Sequence, residues 1–146
     1  MDTGTQPHSP ELIVLWLLLG LILGGAFIAF ARGQEERERR VLALGLVVAA
    51  VIYVGFALAA GETGWLALET LGVALYGALA WLGLRRSALW LAAGWALHPL
   101  WDVGLHLVGA GSAFAPAWYA VLCISFDVLV AAEVGRRHAP WRASSA

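Results

Sequence analysis

Five long apolar runs, separated by short polar breaks, organise the chain. They extend from Leu12 to Ala31, Val41 to Ala60, Trp65 to Leu84, Ala88 to Val108 and Pro116 to Val134. A helix needs about 20 consecutive apolar residues to cross the hydrocarbon core of a bilayer, and each run meets that length. The connecting segments Arg32–Arg40, Gly61–Gly64, Arg85–Ser87 and Gly109–Ala115 are short, so successive helices are expected to lie antiparallel. The pattern predicts an all-α membrane bundle of five transmembrane helices, with residues 1–146 forming a single membrane domain.

Composition agrees with this pattern. The chain is 61% apolar and 13% charged, against roughly 25% charged in soluble domains. A net charge of −1 gives no electrostatic reason to expect a nucleic-acid partner. The basic residues are all arginine. Without lysine there is no Schiff-base chemistry, which excludes the usual retinal pigments. One cysteine, Cys123, cannot form an intrachain disulfide.

The arginines also set a direction. Arg32, Arg37, Arg39 and Arg40 lie in the first link, Arg85 and Arg86 in the third, and Arg136, Arg137 and Arg142 in the tail. Five spans place all of them on one side, which the positive-inside rule makes cytoplasmic. The N-terminus, with Asp2 and Glu11, is then outside, and the expected location is the cell (inner) membrane of a bacterium. Ala29-Phe30-Ala31 resembles a signal-peptide cleavage site, but the basic segment follows the first apolar run instead of preceding it. A retained helix is therefore expected. Gly20 with Gly24, and Gly55 with Ala59, form small-xxx-small pairs that suit close helix packing in lipid.

The polar residues divide the helices. The first two runs contain no ionisable side chain and read as scaffold. The last three contain Glu69, then His98, Asp102 and His106, then Asp127. A charge at bilayer depth costs at least about 2.5–3.5 kcal/mol, so each is a candidate functional group. His98, Asp102 and His106 recur every fourth residue and form one stripe of the fourth helix. They are the candidate metal ligands, for a divalent ion such as zinc or iron. His98 and His106 are about 12 Å apart along the axis, so one ion could take both only if the helix bends, and Pro99 offers a bend; otherwise the stripe suits one His–Asp pair on an ion, or two adjacent ions. Asp102, Asp127 and Glu69 are the candidate catalytic acids and bases. Depth along the helices suggests that Glu69, His106 and Asp102 meet in the outer half, and that His98 meets Asp127 at the midplane. Tyr76, Tyr119 and Cys123 continue these faces.

Other polar residues have plainer readings. Glu62 belongs to a solvated hairpin, Glu133 to the interface beside Arg136 or Arg137, and His8 and His138 to the tails. Trp16, Trp65, Trp118 and Trp141 read as interface anchors, while Trp95 and Trp101 flank the polar stripe. Buried His–Asp contacts can also serve only to hold helices together.

The segment from Gly94 to Asp102, with His106 and Ser125-Phe126-Asp127, resembles an uncharacterised family of small bacterial membrane proteins. That resemblance implies no activity and lends weight to His98, Asp102, His106 and Asp127 as a set. A more distant resemblance is to membrane-embedded metal hydrolases of the alkaline-ceramidase type, which have seven spans and more histidines.

Two functions follow as expectations. One is a metal- or acid/base-dependent enzyme acting on a lipid-like or isoprenoid substrate. The other is a proton or metal-ion transport or channel component. Five spans lack an even inverted repeat, so such a path would be built from a homo-oligomer. Haem ranks third, because both intramembrane histidines are on one helix.

Overall fold

The structure, a computed structural model, describes residues 9–138. Among them there are helices and turns and no strand. The helices are α1 (Pro10–Gly33), α2 (Glu38–Ala59), α3 (Thr63–Arg85), α4 (Ala88–Trp101) and α5 (Ala117–His138). A 3₁₀ turn at Glu35–Arg37 joins α1 to α2, and another at Ala110–Ala113 precedes α5. Asp2, His8, Trp141 and Arg142 lie outside the described residues, as does the side chain of His138.

Helix ends follow local chemistry. The Ser9 hydroxyl accepts from the Leu12 N–H at 3.4 Å, and Pro10, which has no N–H to leave unpaired, opens α1. The Ser87 hydroxyl accepts from the Leu89 N–H at the start of α4. Gly61, at φ +72°, takes the left-handed conformation that turns α2 into α3.

Four helices, α1, α2, α3 and α5, are long and apolar enough to cross a membrane. The fourth run departs from the expected uniform helix. It is α-helical for 14 residues and then passes into a π-helix over Asp102–Leu107. The Val108 N–H reaches the Val103 carbonyl, five residues back, at 3.0 Å. Pro99 explains the weakness just before this change. It lacks an N–H, so the Trp95 carbonyl loses its usual helical donor, and the backbone relaxes to the wider spacing that often marks a functional segment.

The helices pack around a core that includes Leu42, Leu46, Tyr76, Leu91, Trp95 and Val130. Neighbouring helices are α1 with α5, α2 with α3, and α4 with both α3 and α5. The Gly20–Gly24 face lies on α5 so closely that a Cβ at Gly20 would overlap the Leu122 carbonyl and the Ser125 hydroxyl. That hydroxyl donates to the Leu17 carbonyl at 2.7 Å, joining the same two helices. The Gly55–Ala59 pair does not act this way. Gly55 has open space around it and both residues are exposed.

At the other end of α1 and α5, Arg32 and Arg136 pair with Glu133, and Arg137 pairs with Glu38 of α2. Gly135 of α5 is beside Ala92 near the start of α4. The arginines of the described residues therefore gather at one end of the bundle. Glu133 has the arginine neighbours expected of it, with Arg32 added. Glu62 is exposed in the hairpin at the opposite end.

Candidate metal centre

His98, Asp102 and Asp127 come together at the centre of the bundle, each with 0% of its surface exposed. His98 and Asp102 are one turn apart on the fourth helical run, and Asp127 enters from α5. His98 Nδ1 is 2.8 Å from Asp127 Oδ2 and 3.4 Å from Asp102 Oδ2. A carboxylate only accepts, so the ring N–H donates to Asp127, while Asp102 sits at ion-pair distance without hydrogen-bond geometry.

Among the described residues, Asp102 Oδ1 and Oδ2, Asp127 Oδ1 and His98 Nε2 are buried with no hydrogen-bond partner. The Tyr53 hydroxyl and the Cys123 thiol lie near Asp102 without hydrogen-bond geometry, and unpaired buried carboxylate oxygens are costly unless a cation or such a donor meets them. One ligand atom from each of the three residues lies within 4.8 Å of the others. Ligands around a tetrahedral zinc at bond lengths of about 2.0–2.2 Å are spaced roughly 3.4 Å apart. The group is thus near the size of an ion site, and three protein ligands leave a position for water or substrate. One imidazole and two carboxylates suit zinc or iron.

His106, expected as a ligand, is not in this group. It pairs with Glu69 of α3, Nε2 to Oε1 at 2.9 Å, both residues buried. Two effects separate it from His98: about 12 Å of rise, and the π segment, whose i→i+5 bonding alters the rotation of every residue after Asp102. The predicted pairings of Glu69 with His106, and of His98 with Asp127, are both present. Asp102 joins His98 instead of the outer pair.

Tyr53 of α2 was not expected here. Its ring stacks on His106 at a centroid distance of 3.8 Å and lies 6.2 Å from the His98 ring, and its buried hydroxyl has no partner. The second helix is therefore more than scaffold. The one available signal was a lone tyrosine in the middle of an otherwise apolar run. Tyr76 turns an edge to His98 at 4.9 Å. Trp65 and Phe114 close over His106 at 6.2 and 5.7 Å. Of the two tryptophans flanking the stripe, Trp95 is buried and donates from its indole N–H to the Leu42 carbonyl, and Trp101 packs on Gly72. Trp16 and Trp118 pair at 5.3 Å, and Cys123 is a buried free thiol.

A hydrocarbon-lined cavity of about 250 Å³ reaches this centre from the side, touching Trp95, Cys123 and Asp127.

Fold and site together define a membrane-type helical protein with a buried His/Asp cluster able to hold a metal ion. The chain belongs to a family of unknown function (DUF6010), which it matches over residues 15–135. No curated protein and no solved structure matches it.

Proposed function

We propose that this is a five-span integral membrane enzyme in which His98, Asp102 and Asp127 hold a divalent ion, zinc or iron, for chemistry on a lipid-like substrate. The observation that carries this reading is the buried excess of carboxylate oxygens around a single imidazole N–H. A divalent ion bound there would polarise a carbonyl or activate a water.

The fifth span is α4 with its π extension, which together run continuously from Ala88 to Leu107. The gathered arginines support a cytoplasmic C-terminus and an outer N-terminus, in the inner membrane of a bacterium. Glu69 then lies toward the outer side. Its carboxylate accepts from His106 Nε2–H, which leaves His106 Nδ1 as an unpartnered base. A base oriented by a carboxylate is a recurrent arrangement for proton transfer. The site draws on α2 to α5, and the lipid-like substrate class follows from its hydrocarbon surroundings.

The transport alternative uses the same charged groups. A conducting path, however, needs polar groups on both sides of the centre. Between His98 and the arginine end the core consists of Leu91, Ala88, Val130, Val134, Ala31 and Leu42. That apolar plug favours an enzyme.

Metal analysis of purified protein tests the proposal. Wild type is expected to carry about one ion per chain, lost in both His98→Ala and Asp102→Ala. Metal-free wild type whose proton flux in liposomes is abolished by Asp127→Asn would overturn it in favour of transport.

A further inference from the structure

The lateral cavity has a direction. At its mouth, Leu23 of α1 and Val48 of α2 are 43% and 49% exposed, on helices whose outer faces are hydrocarbon. Phe27 and Ile52 form half-buried sides. Its floor is formed by buried residues, with Asp127 the only carboxylate among them. A molecule entering by this route comes from the apolar layer and reaches a floor that Asp127 helps to line.

Size and chemistry narrow the occupant. At about 250 Å³, the cavity falls just below the range of roughly 300–1,000 Å³ common for ligand pockets. It has room for part of one hydrocarbon chain and none for the paired chains of a phospholipid. Beside the Tyr119 phenol and the Cys123 thiol, its one carboxylate is Asp127, whose Oδ1 is fully buried and has no hydrogen-bond donor. An acceptor-only oxygen at the end of a dry channel selects a ligand that brings an O–H or N–H. The Glu69–His106 pair borders the centre from other helices, α3 and the end of the fourth run, with Tyr53 stacked on His106. The hydrocarbon route and the polar groups thus approach from different helices.

We infer that the cavity admits one chain of a single-chain lipid, sideways from the bilayer past α1 and α2, and that the lipid presents a terminal hydrogen-bond donor, such as a hydroxyl, to Asp127. This rests on the metal-centre reading only for what happens to that terminus. The binding route stands on the cavity and the orphaned oxygen.

The test uses the full chain in nanodiscs with a photoactivatable diazirine analogue of a long-chain alcohol. Saturable labelling at peptides containing Phe27 and Ile52, displaced by excess unlabelled alcohol but not by the corresponding alkane, is the expected result. Ala49→Trp fills the cavity without replacing a carboxylate or imidazole, and should reduce that labelling at least tenfold while zinc content stays at the wild-type value. Ala49→Leu serves the same purpose with less added volume and should give an intermediate loss. Leu44→Trp, on an exposed face, should leave labelling unchanged. Unsaturable labelling spread over all lipid-facing helices, or labelling indifferent to both Ala49 variants, would overturn the inference. Zinc content separates the two readings. Saturable alcohol binding without zinc removes the metal centre and keeps the channel, whereas zinc without saturable labelling does the reverse.

Discussion

His98 and His106 lie on the same helical run, both fully buried, and each meets a carboxylate from another helix. They nevertheless occupy chemically different places. At His106 one ring N–H faces one carboxylate, aromatic rings of Tyr53, Trp65 and Phe114 surround the pair, and its one buried polar atom without a partner is the ring Nδ1. At His98 one N–H faces two carboxylates, and three carboxylate oxygens remain without donors. The first site has one carboxylate for its imidazole. The second has two carboxylates for its imidazole, and a buried charge without a partner costs several kcal/mol. The difference teaches that a buried histidine by itself says little, and that the balance of donors and acceptors around it separates a closed pair from a site that could hold a cation.

The contrast can be broken most directly at the carboxylates. Asp102→Asn combined with Asp127→Asn should weaken zinc binding by at least about a hundredfold, exceeding the 10–100-fold loss common for supporting residues. Glu69→Gln should leave affinity within a few-fold. Competition titration against a chromophoric chelator reads both, and equal losses in the two variants would erase the distinction.

Stability should show the converse. Glu69→Ala leaves His106 buried without its carboxylate and should cost about 3–5 kcal/mol. The double replacement Glu69→Leu with His106→Phe should recover most of that, because no unpaired polar group remains. Thermal unfolding in detergent measures both, and a double variant as unstable as the single would show that the pair is uncoupled.

Protons compete with metal for the same lone pairs. Zinc affinity should therefore fall as pH falls, and the fall should persist in the Glu69→Gln variant. A pH-independent affinity would exclude the imidazole–carboxylate ligand set.

The smallest effect is expected between the two sites. Tyr53→Phe keeps the ring stacked on His106 and removes a hydroxyl that has no partner. It should not lower stability, and loss of an unpaired buried hydroxyl should raise it by about 1 kcal/mol, while Tyr53→Ala should cost about 3 kcal/mol or more by opening a cavity. A large loss in Tyr53→Phe would place the hydroxyl in the site's chemistry.

The five helices were legible because hydropathy alone marks segments of membrane length. The pairings of Glu69 with His106, and of His98 with Asp127, were legible because position along a helix gives depth, and groups at equal depth can meet. Asp102 has two readings, as a ligand beside His98 and as a partner of Glu69 and His106; one α-helical turn keeps it beside His98, while the π segment rotates the residues after it away. No pattern of apolar and polar positions announces such a change; Pro99 signalled only a local weakness. Tyr53 escaped notice because a single tyrosine in an apolar helix reads as packing. The Gly20–Gly24 and Gly55–Ala59 pairs look alike in sequence, yet only the first faces a neighbouring helix.

X-ray absorption at the zinc edge of the loaded protein tests the central claim most directly. The account predicts a shell of nitrogen and oxygen at about 2.0–2.2 Å, containing one imidazole and no sulfur. Two imidazoles would bring His106 into the site, a Zn–S distance of about 2.3 Å would bring in Cys123, and a protein that takes up no zinc or iron would contradict the assignment of His98, Asp102 and Asp127 as ligands.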